Sequence, residues 1–314
     1  MIDTGTICQA VWPVYLLIFA GAVVRWVKLV PSGTDTSLMG LTVNLLMPCL
    51  ILDKMMGSRV LHDTGMLAWS AGLGFAGVAA GVAASYAVGR MLRFQRGSGL
   101  RTFSLTTGLQ NYGFVAIPVL AGVFPSKDTM GVLFLHNLGV ELAMWSLGLM
   151  MLQGSWAGLA RIFRTGPILA VLAGIVLVLT GADGHCPDFV RSAMSQLGAT
   201  AIPLQLLLVG MTMADLLFAE RPTARVALAG AVVRIGLLGF ALLAAARFLP
   251  LGKELKEVLV VQAAMPAAVF PIVLARHYGG HPPTAIQVVV ATGAVSLFSI
   301  PLVVAWGARW VFGG

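Results

Sequence analysis

The chain has 314 residues, 58% of them hydrophobic and 10% charged, with a mean hydropathy of +0.92. Soluble domains carry about 25% charged residues, so this composition excludes an ordinary soluble protein and predicts an all-α chain that crosses a membrane many times. The net charge of +8 is not the footprint of a nucleic-acid partner, because the basic residues gather at the ends of apolar runs, where they orient membrane helices.

A hydrocarbon core of about 30 Å needs about 20 apolar residues per helix. That length predicts ten spans, in chain order 9–29, 38–56, 66–92, 100–123, 130–152, 167–181, 189–218, 225–248, 255–278 and 284–312. The first run follows Met1, Ile2 and Asp3 with no basic segment before it, so it reads as a retained helix and not a cleaved signal. The polar stretch 154–166 divides the chain into units 1–153 and 167–314, and its composition suits a short amphipathic helix on the cytoplasmic face. Because five spans is an odd number, the second unit must enter the membrane from the opposite face, as in the inverted repeats of many carriers. Odd-numbered connections hold eleven Lys and Arg residues, against eight in the even connections and the C-terminal end. Arg90, Arg93, Arg96 and Arg101 lead that excess, which places both termini outside the cytoplasmic membrane.

Two spans break the rules of a membrane helix. The fourth contains Thr107 to Leu120, T-G-L-Q-N-Y-G-F-V-A-I-P-V-L, with Gly108, Gln110, Asn111, Gly113 and Pro118 inside eleven residues. The ninth contains Val261 to Leu274, V-Q-A-A-M-P-A-A-V-F-P-I-V-L, with Gln262, Pro266 and Pro271. Proline lacks an N–H and clashes with the preceding turn, and backbone freed in hydrocarbon survives only where protein buries it or where it lines a cavity. Interrupted spans in corresponding positions of two halves point to a transporter's binding site. The side-chain amide of Asn111 can donate to an anion, and helix N-termini exposed at such breaks add a positive dipole end worth about 0.3 to 1 kcal/mol.

Other polar groups lie at membrane depth. Glu141, in the fifth span, costs about 2.5 to 3.5 kcal/mol to insert and is therefore a functional candidate, with Asn137 one turn earlier on the same face. Arg234, in the eighth span, is expected either to pair with Glu141 or to grip an anion through its planar fork. Asn44, Gln205 and Gln262 are buried amides that either tie helices together, at about 0.6 kcal/mol each, or touch a ligand. Neither a phosphate-binding G-x-x-x-x-G-K-[ST] loop nor the residue sets of intramembrane proteases occur at usable spacing. No enzyme activity and no cofactor are expected, and Cys8, Cys49 and Cys186 form no paired-cysteine site.

The two broken stretches resemble the auxin efflux carrier family, which includes plant auxin exporters and bacterial malate or malonate carriers. N-Y-G-F-V-A-I-P from Asn111 to Pro118 is similar to that family's N-x-x-x-x-G-[IL]-P, and A-A-M-P-A-A-V-F-P from Ala263 to Pro271 to its A-L-P-x-x-x-x-P. V-N-L-L-M-P in the second span and S-L-F-S-I-P in the tenth extend the resemblance over essentially the whole chain. It implies that the fourth and ninth helices unwind and cross near the membrane midplane. A substrate carboxylate would bind at that crossing, with Asn111 and Pro266 as the crossing residues. On this resemblance the candidate substrate set is Gln110, Asn111, Tyr112, Gly113, Pro118, Gln262, Met265, Pro266 and Pro271, joined by Asn44, Asn137, Glu141 and Arg234. Gln110 stands where plant auxin exporters have proline and Ala116 where the family has glycine, so the bacterial carboxylate branch is the nearer relative. The resemblance further implies a homodimer in membrane lipid and alternating access, with the first, second, sixth and seventh helices as a scaffold. The alternative is a sodium-coupled anion symporter of the bile-acid type, which shares the inverted five-helix plan with sodium/proton antiporters.

Overall fold

A computed structural model describes residues 4–31, 33–94, 99–153, 165–217 and 223–313. The expected amphipathic linker helix falls on 154–164 and lies outside the described residues. Among the described residues every regular element is helical and no strand occurs. In chain order we label the helices α1 (Thr4–Trp26), α2 (Thr34–Met55), α3 (Thr64–Met91), α4a (Leu100–Gly108) and α4b (Ala116–Val123), then α5 (Lys127–Gln153), α6 (Gly166–Leu179) and α7 (Asp188–Leu217). There follow α8 (Ala224–Phe248), α9a (Lys253–Ala264), α9b (Phe270–His277) and α10 (Pro282–Phe312). Six of them, α2, α3, α5, α7, α8 and α10, are long and apolar enough to cross a membrane, and α1 and α6 contain shorter apolar helices.

Proline alone does not interrupt a helix here. Pro13, Pro203 and Pro301 sit inside the unbroken α1, α7 and α10. In α2, Pro48 cannot donate to the carbonyl four residues back, and the chain answers with a wider π turn over Thr42–Leu46 in which Met47 N–H reaches the Thr42 carbonyl. True breaks occur at two places. The fourth helix stops at Gly108, with Leu109 extended (φ −100°, ψ 114°), and restarts at Ala116. The restart lies ahead of Pro118, whose missing N–H falls in the first turn of α4b, where no intrahelical partner is needed. The ninth stops at Ala264; Met265, which precedes Pro266, is extended (φ −72°, ψ 137°), the conformation that a following proline favours. Pro271 then sits in the first turn of α9b, another position that needs no N–H.

The packing is paired across the two halves. α3 lies against α4a and α5, and α8 lies against α9a and α10, while α1 packs on α7 and α6 on α2. Glycines let the backbones meet in several of these contacts, most closely in two. A Cβ on Gly74 of α3 would lie 2.1 Å from the His136 carbonyl oxygen, and one on Gly139 of α5 would lie 1.9 Å from that of Ala71. Between α1 and α7, Gly21 faces the Leu207 carbonyl at 2.2 Å and Gly210 the Ile18 carbonyl at 1.9 Å on the same measure. Without a hydrophobic drive between helices in lipid, such close approach is what holds them.

Gly74→Ala should therefore lower the apparent melting temperature in detergent by roughly 2 to 8 °C, from an overpacking cost of about 1 to 3 kcal/mol. Gly72→Ala, on the same helix with open space around it, should leave the temperature equal or higher when the two are measured side by side.

Candidate functional site

The two breaks meet. Asn111 N–H donates to the Pro266 carbonyl at 2.7 Å and Ala268 N–H to the Leu109 carbonyl at 2.9 Å, so that Gln110 and Ala267 form an isolated antiparallel backbone pair. Each interrupted segment thereby supplies partners that the other lost. Side chains finish the job. Asn137 Nδ2 donates to the Tyr112 carbonyl at 3.1 Å, and Gln262 Nε2 reaches that carbonyl and Asn137 Oδ1 at 3.4 Å each. The Thr292 hydroxyl of α10 accepts from Ala267 N–H at 3.1 Å while donating to the Val288 carbonyl at 2.8 Å.

Beside this crossing lies a cavity of about 160 Å³. Asn111, Tyr112 and Gly113 from the first break line it together with Val269 and Phe270 from the second, and Asn137 and Glu141 from α5. α2, α6 and α7 close it with Met47, Ile51, Ile168, Val171 and Gln205. Most of the wall is apolar. Apart from Thr165 and Gln205, the polar exceptions converge on the crossing: Asn111 Oδ1 accepts from Val115 N–H at 3.3 Å, which leaves its Nδ2 without a bond among the described residues. α4b and α9b both restart beside the cavity with a positive dipole end; Ile117 N–H is bonded to the Gly113 carbonyl, Ile272 N–H to the Val269 carbonyl, and Pro118 and Pro271 have no N–H, so Ala116 and Phe270 N–H are the first-turn donors left without a partner among the described residues. A carboxylate docked there would meet an amide and peptide donors with no lysine or arginine required.

Glu141 is half-buried in the wall. Its Oε1 accepts from the Tyr112 hydroxyl at 2.5 Å and its Oε2 from Trp145 Nε1 at 2.9 Å. Trp145 lies four residues after Glu141, one turn along the same face, and its ring packs edge-on against Phe270 with centroids 5.6 Å apart. The i, i+4 spacing was visible in the sequence; without a known cavity, nothing marked Trp145 out from any other membrane tryptophan. Thr292 carried no sequence signal at all, since its role depends on a neighbour 25 residues away.

The structure also separates residues that the sequence grouped. Gln110, Met265 and Pro266 are at the crossing but do not line the cavity, and Pro118 and Pro271 start the second half-helices. Asn44 is exposed, bonded to its own helix through the Gly40 carbonyl at 3.0 Å, because the π turn brings Thr42 and Leu46 to the buried side instead. The expectation that it is a buried amide near the site is corrected; Gln205, 2% exposed with Oε1 lacking a partner, holds that position. Arg234 is fully buried with Nε and Nη2 unpartnered, and it makes no ion pair with Glu141 among the described residues. Its turn packs against α3, α4a, α9a and α10, and it does not line the cavity.

These features have relatives. A protein of Methanothermobacter thermautotrophicus (strain ATCC 29096 / DSM 1053 / JCM 10044 / NBRC 100330 / Delta H) named "Uncharacterized transporter" is 28% identical over 210 residues, covering 64% of this chain and 67% of that protein. The family model described as "Membrane transport protein", that of the auxin efflux carriers, matches residues 6–162 and 157–304. The chain is a multi-pass membrane protein that belongs to this transporter family.

Proposed function

We propose that this protein is a secondary carrier of small organic anions that works by alternating access in the cytoplasmic membrane. The observation that carries the reading is the crossing itself, where Asn111 N–H meets the Pro266 carbonyl at 2.7 Å beside a cavity that Asn111 lines. In this reading α4a with α4b and α9a with α9b each count as one interrupted span, giving ten spans in two inverted five-helix repeats at 1–153 and 167–314. The exchange of partners supports it, since α1 packs on α7 as α6 does on α2, and α3 and α8 hold equivalent places. Both termini lie outside, and the functional unit is a homodimer embedded in lipid. α1, α2, α6 and α7 are the scaffold, against which the bundle carrying the crossing moves like an elevator. The cavity lies between those two groups of helices, where such a motion alternates access. One carboxylate and a few amides in the wall offer little to a sodium ion, so the sodium-coupled alternative gains no support from the cavity.

The lining narrows the substrate. Donors at the crossing share the cavity with apolar walls of Met47, Ile51, Phe114, Ile168 and Phe270, and the Gln205 amide is the polar exception on α7. A compact monocarboxylate with an apolar body satisfies the crossing and the walls, whereas the second carboxylate of malate or malonate would have to be held by the neutral Gln205 amide in a largely apolar wall, at a cost in affinity.

Two measurements test this. In proteoliposomes, counterflow of a labelled monocarboxylate should fall about tenfold or more in Asn111→Ala, because a lost charge-assisted hydrogen bond costs about 1.5 to 3 kcal/mol; unchanged counterflow removes Asn111 from the site. In a thermal-shift screen, branched or aromatic monocarboxylates should raise the melting temperature of the purified chain more than malate or malonate at equal concentration.

A further inference from the structure

We infer that transport is coupled to one proton held on Glu141, and that the Tyr112 hydroxyl is the switch that links this proton to substrate binding. The inference rests on the carrier reading above and adds its energy source.

The cavity that would take a carboxylate already holds one. Glu141 and Tyr112 are the ionisable groups in its lining, and no lysine, arginine or histidine joins them. The groups packed around α5 do not supply a cation. Asp35, Asp53 and Lys54 of α2 and Arg90 of α3 lie toward helix ends, the first paired with Arg25 and the next two with each other. Tyr86 lies further along α3, Arg101 opens α4a, Arg276 and His277 close α9b, and His62 sits in the turn before α3. On α9a, Lys253, Glu254, Lys256 and Glu257 occupy the first turns, and Glu257 meets α5 through the Thr129 hydroxyl at 2.7 Å. Twelve residues separate Thr129 from Glu141, about 18 Å along a helix. α4b and α6 carry no charged residue, and on α5 itself Lys127 and Asp128 are in the first turn while His136 is buried away from the cavity. None of these side chains lines the cavity. Two carboxylates therefore meet in an apolar enclosure with only neutral donors, and like charges in such a site do not both stay ionised.

The hydrogen bonds say where the proton goes. Trp145 Nε1–H can only donate, so Glu141 Oε2 stays an acceptor. The proton taken from the bulk on the entry side binds Oε1, the oxygen that faced Tyr112. A phenolic hydroxyl both donates and accepts. With Oε1 protonated, Tyr112 accepts from Glu141 and its own hydrogen turns free into the cavity, next to the Asn111 amide one residue away. In the ionised state that hydrogen is held by Glu141, and the substrate loses a donor as it gains a repelling charge. Loading is thus coupled to protonation, and release of the proton on the far side returns the Tyr112 hydrogen to Oε1. One anion and one proton cross together, so the cycle moves no net charge.

The test uses proteoliposomes of the full chain with a pH dye trapped inside, protein-free vesicles as the blank, and labelled 2-oxoisovalerate and phenylpyruvate as probes. Coupling predicts about one proton entering per molecule taken up, about tenfold accumulation for each pH unit of acid-outside gradient, and no response to a potassium-valinomycin potential. Probe affinity of the wild type weakens as pH rises; Tyr112→Phe should make that dependence shallower, because the repulsion by ionised Glu141 remains, and Glu141→Gln should flatten it and take the proton count per molecule to near zero in whatever flux it retains. Uptake by the wild-type chain that brings no proton and speeds up with an inside-positive potential overturns the coupling and leaves the carrier. Absence of flux of either probe overturns the carrier reading, and the coupling falls with it.

Discussion

Everything near the site depends on one pair of backbone hydrogen bonds, Asn111 N–H to the Pro266 carbonyl and Ala268 N–H to the Leu109 carbonyl. In hydrocarbon a peptide group that loses its helical partner has no water to turn to. Two helices interrupted at the same depth can repair each other, provided their extended segments run side by side in antiparallel fashion. A single interrupted helix has no such partner, and the site accordingly draws on both halves of the chain. Asn137, Gln262 and Thr292 complete the repair from α5, α9a and α10.

In the proposed carrier, what the repair leaves unpaired is what a substrate would use. The pairing absorbs the extended residues but not the first turns of α4b and α9b, and Asn111 keeps its amide nitrogen free beside them. Positive dipole ends and neutral donors suit an anion that must enter and leave, since a buried lysine or arginine in contact with it would hold it more tightly. Arg234 is fully buried, its turn packs against α3, α4a, α9a and α10, and it does not line the cavity. Around the site, glycine contacts at Gly74 with Gly139 and at Gly21 with Gly210 bring α3 and α5, and α1 and α7, together at backbone distance. Contacts of that kind pack the two helices of each pair tightly.

Much of this was legible beforehand. Hydropathy put helices near their observed bounds, as with the expected 66–92 against Thr64–Met91, and residue chemistry singled out the segments around Asn111 and Pro266. Proline counting by itself would have misled, because Pro13, Pro203 and Pro301 lie in continuous helices. The discriminating feature was local company: glycine and side-chain amides next to Pro118, and a second proline five residues after Pro266. Asn44 and Gln205 show the limit. Both are amides near a proline, in α2 and α7, yet one faces out and the other lines the cavity, because a π turn rotates the first.

By itself, then, the amino-acid order determined that the chain is helical and apolar, where its backbone must break, and which polar groups are too costly to be idle in lipid. These follow from periodicity, the missing proline N–H and the price of burying charge, all of which are properties of short stretches. Only the tertiary structure decided which polar groups meet: that Glu141 faces Tyr112 and Trp145 and not Arg234, that Thr292 serves the second break, and that Asn44 stands apart. Those outcomes depend on rotation about helix axes and on contacts between residues far apart in sequence, and no local pattern encodes either.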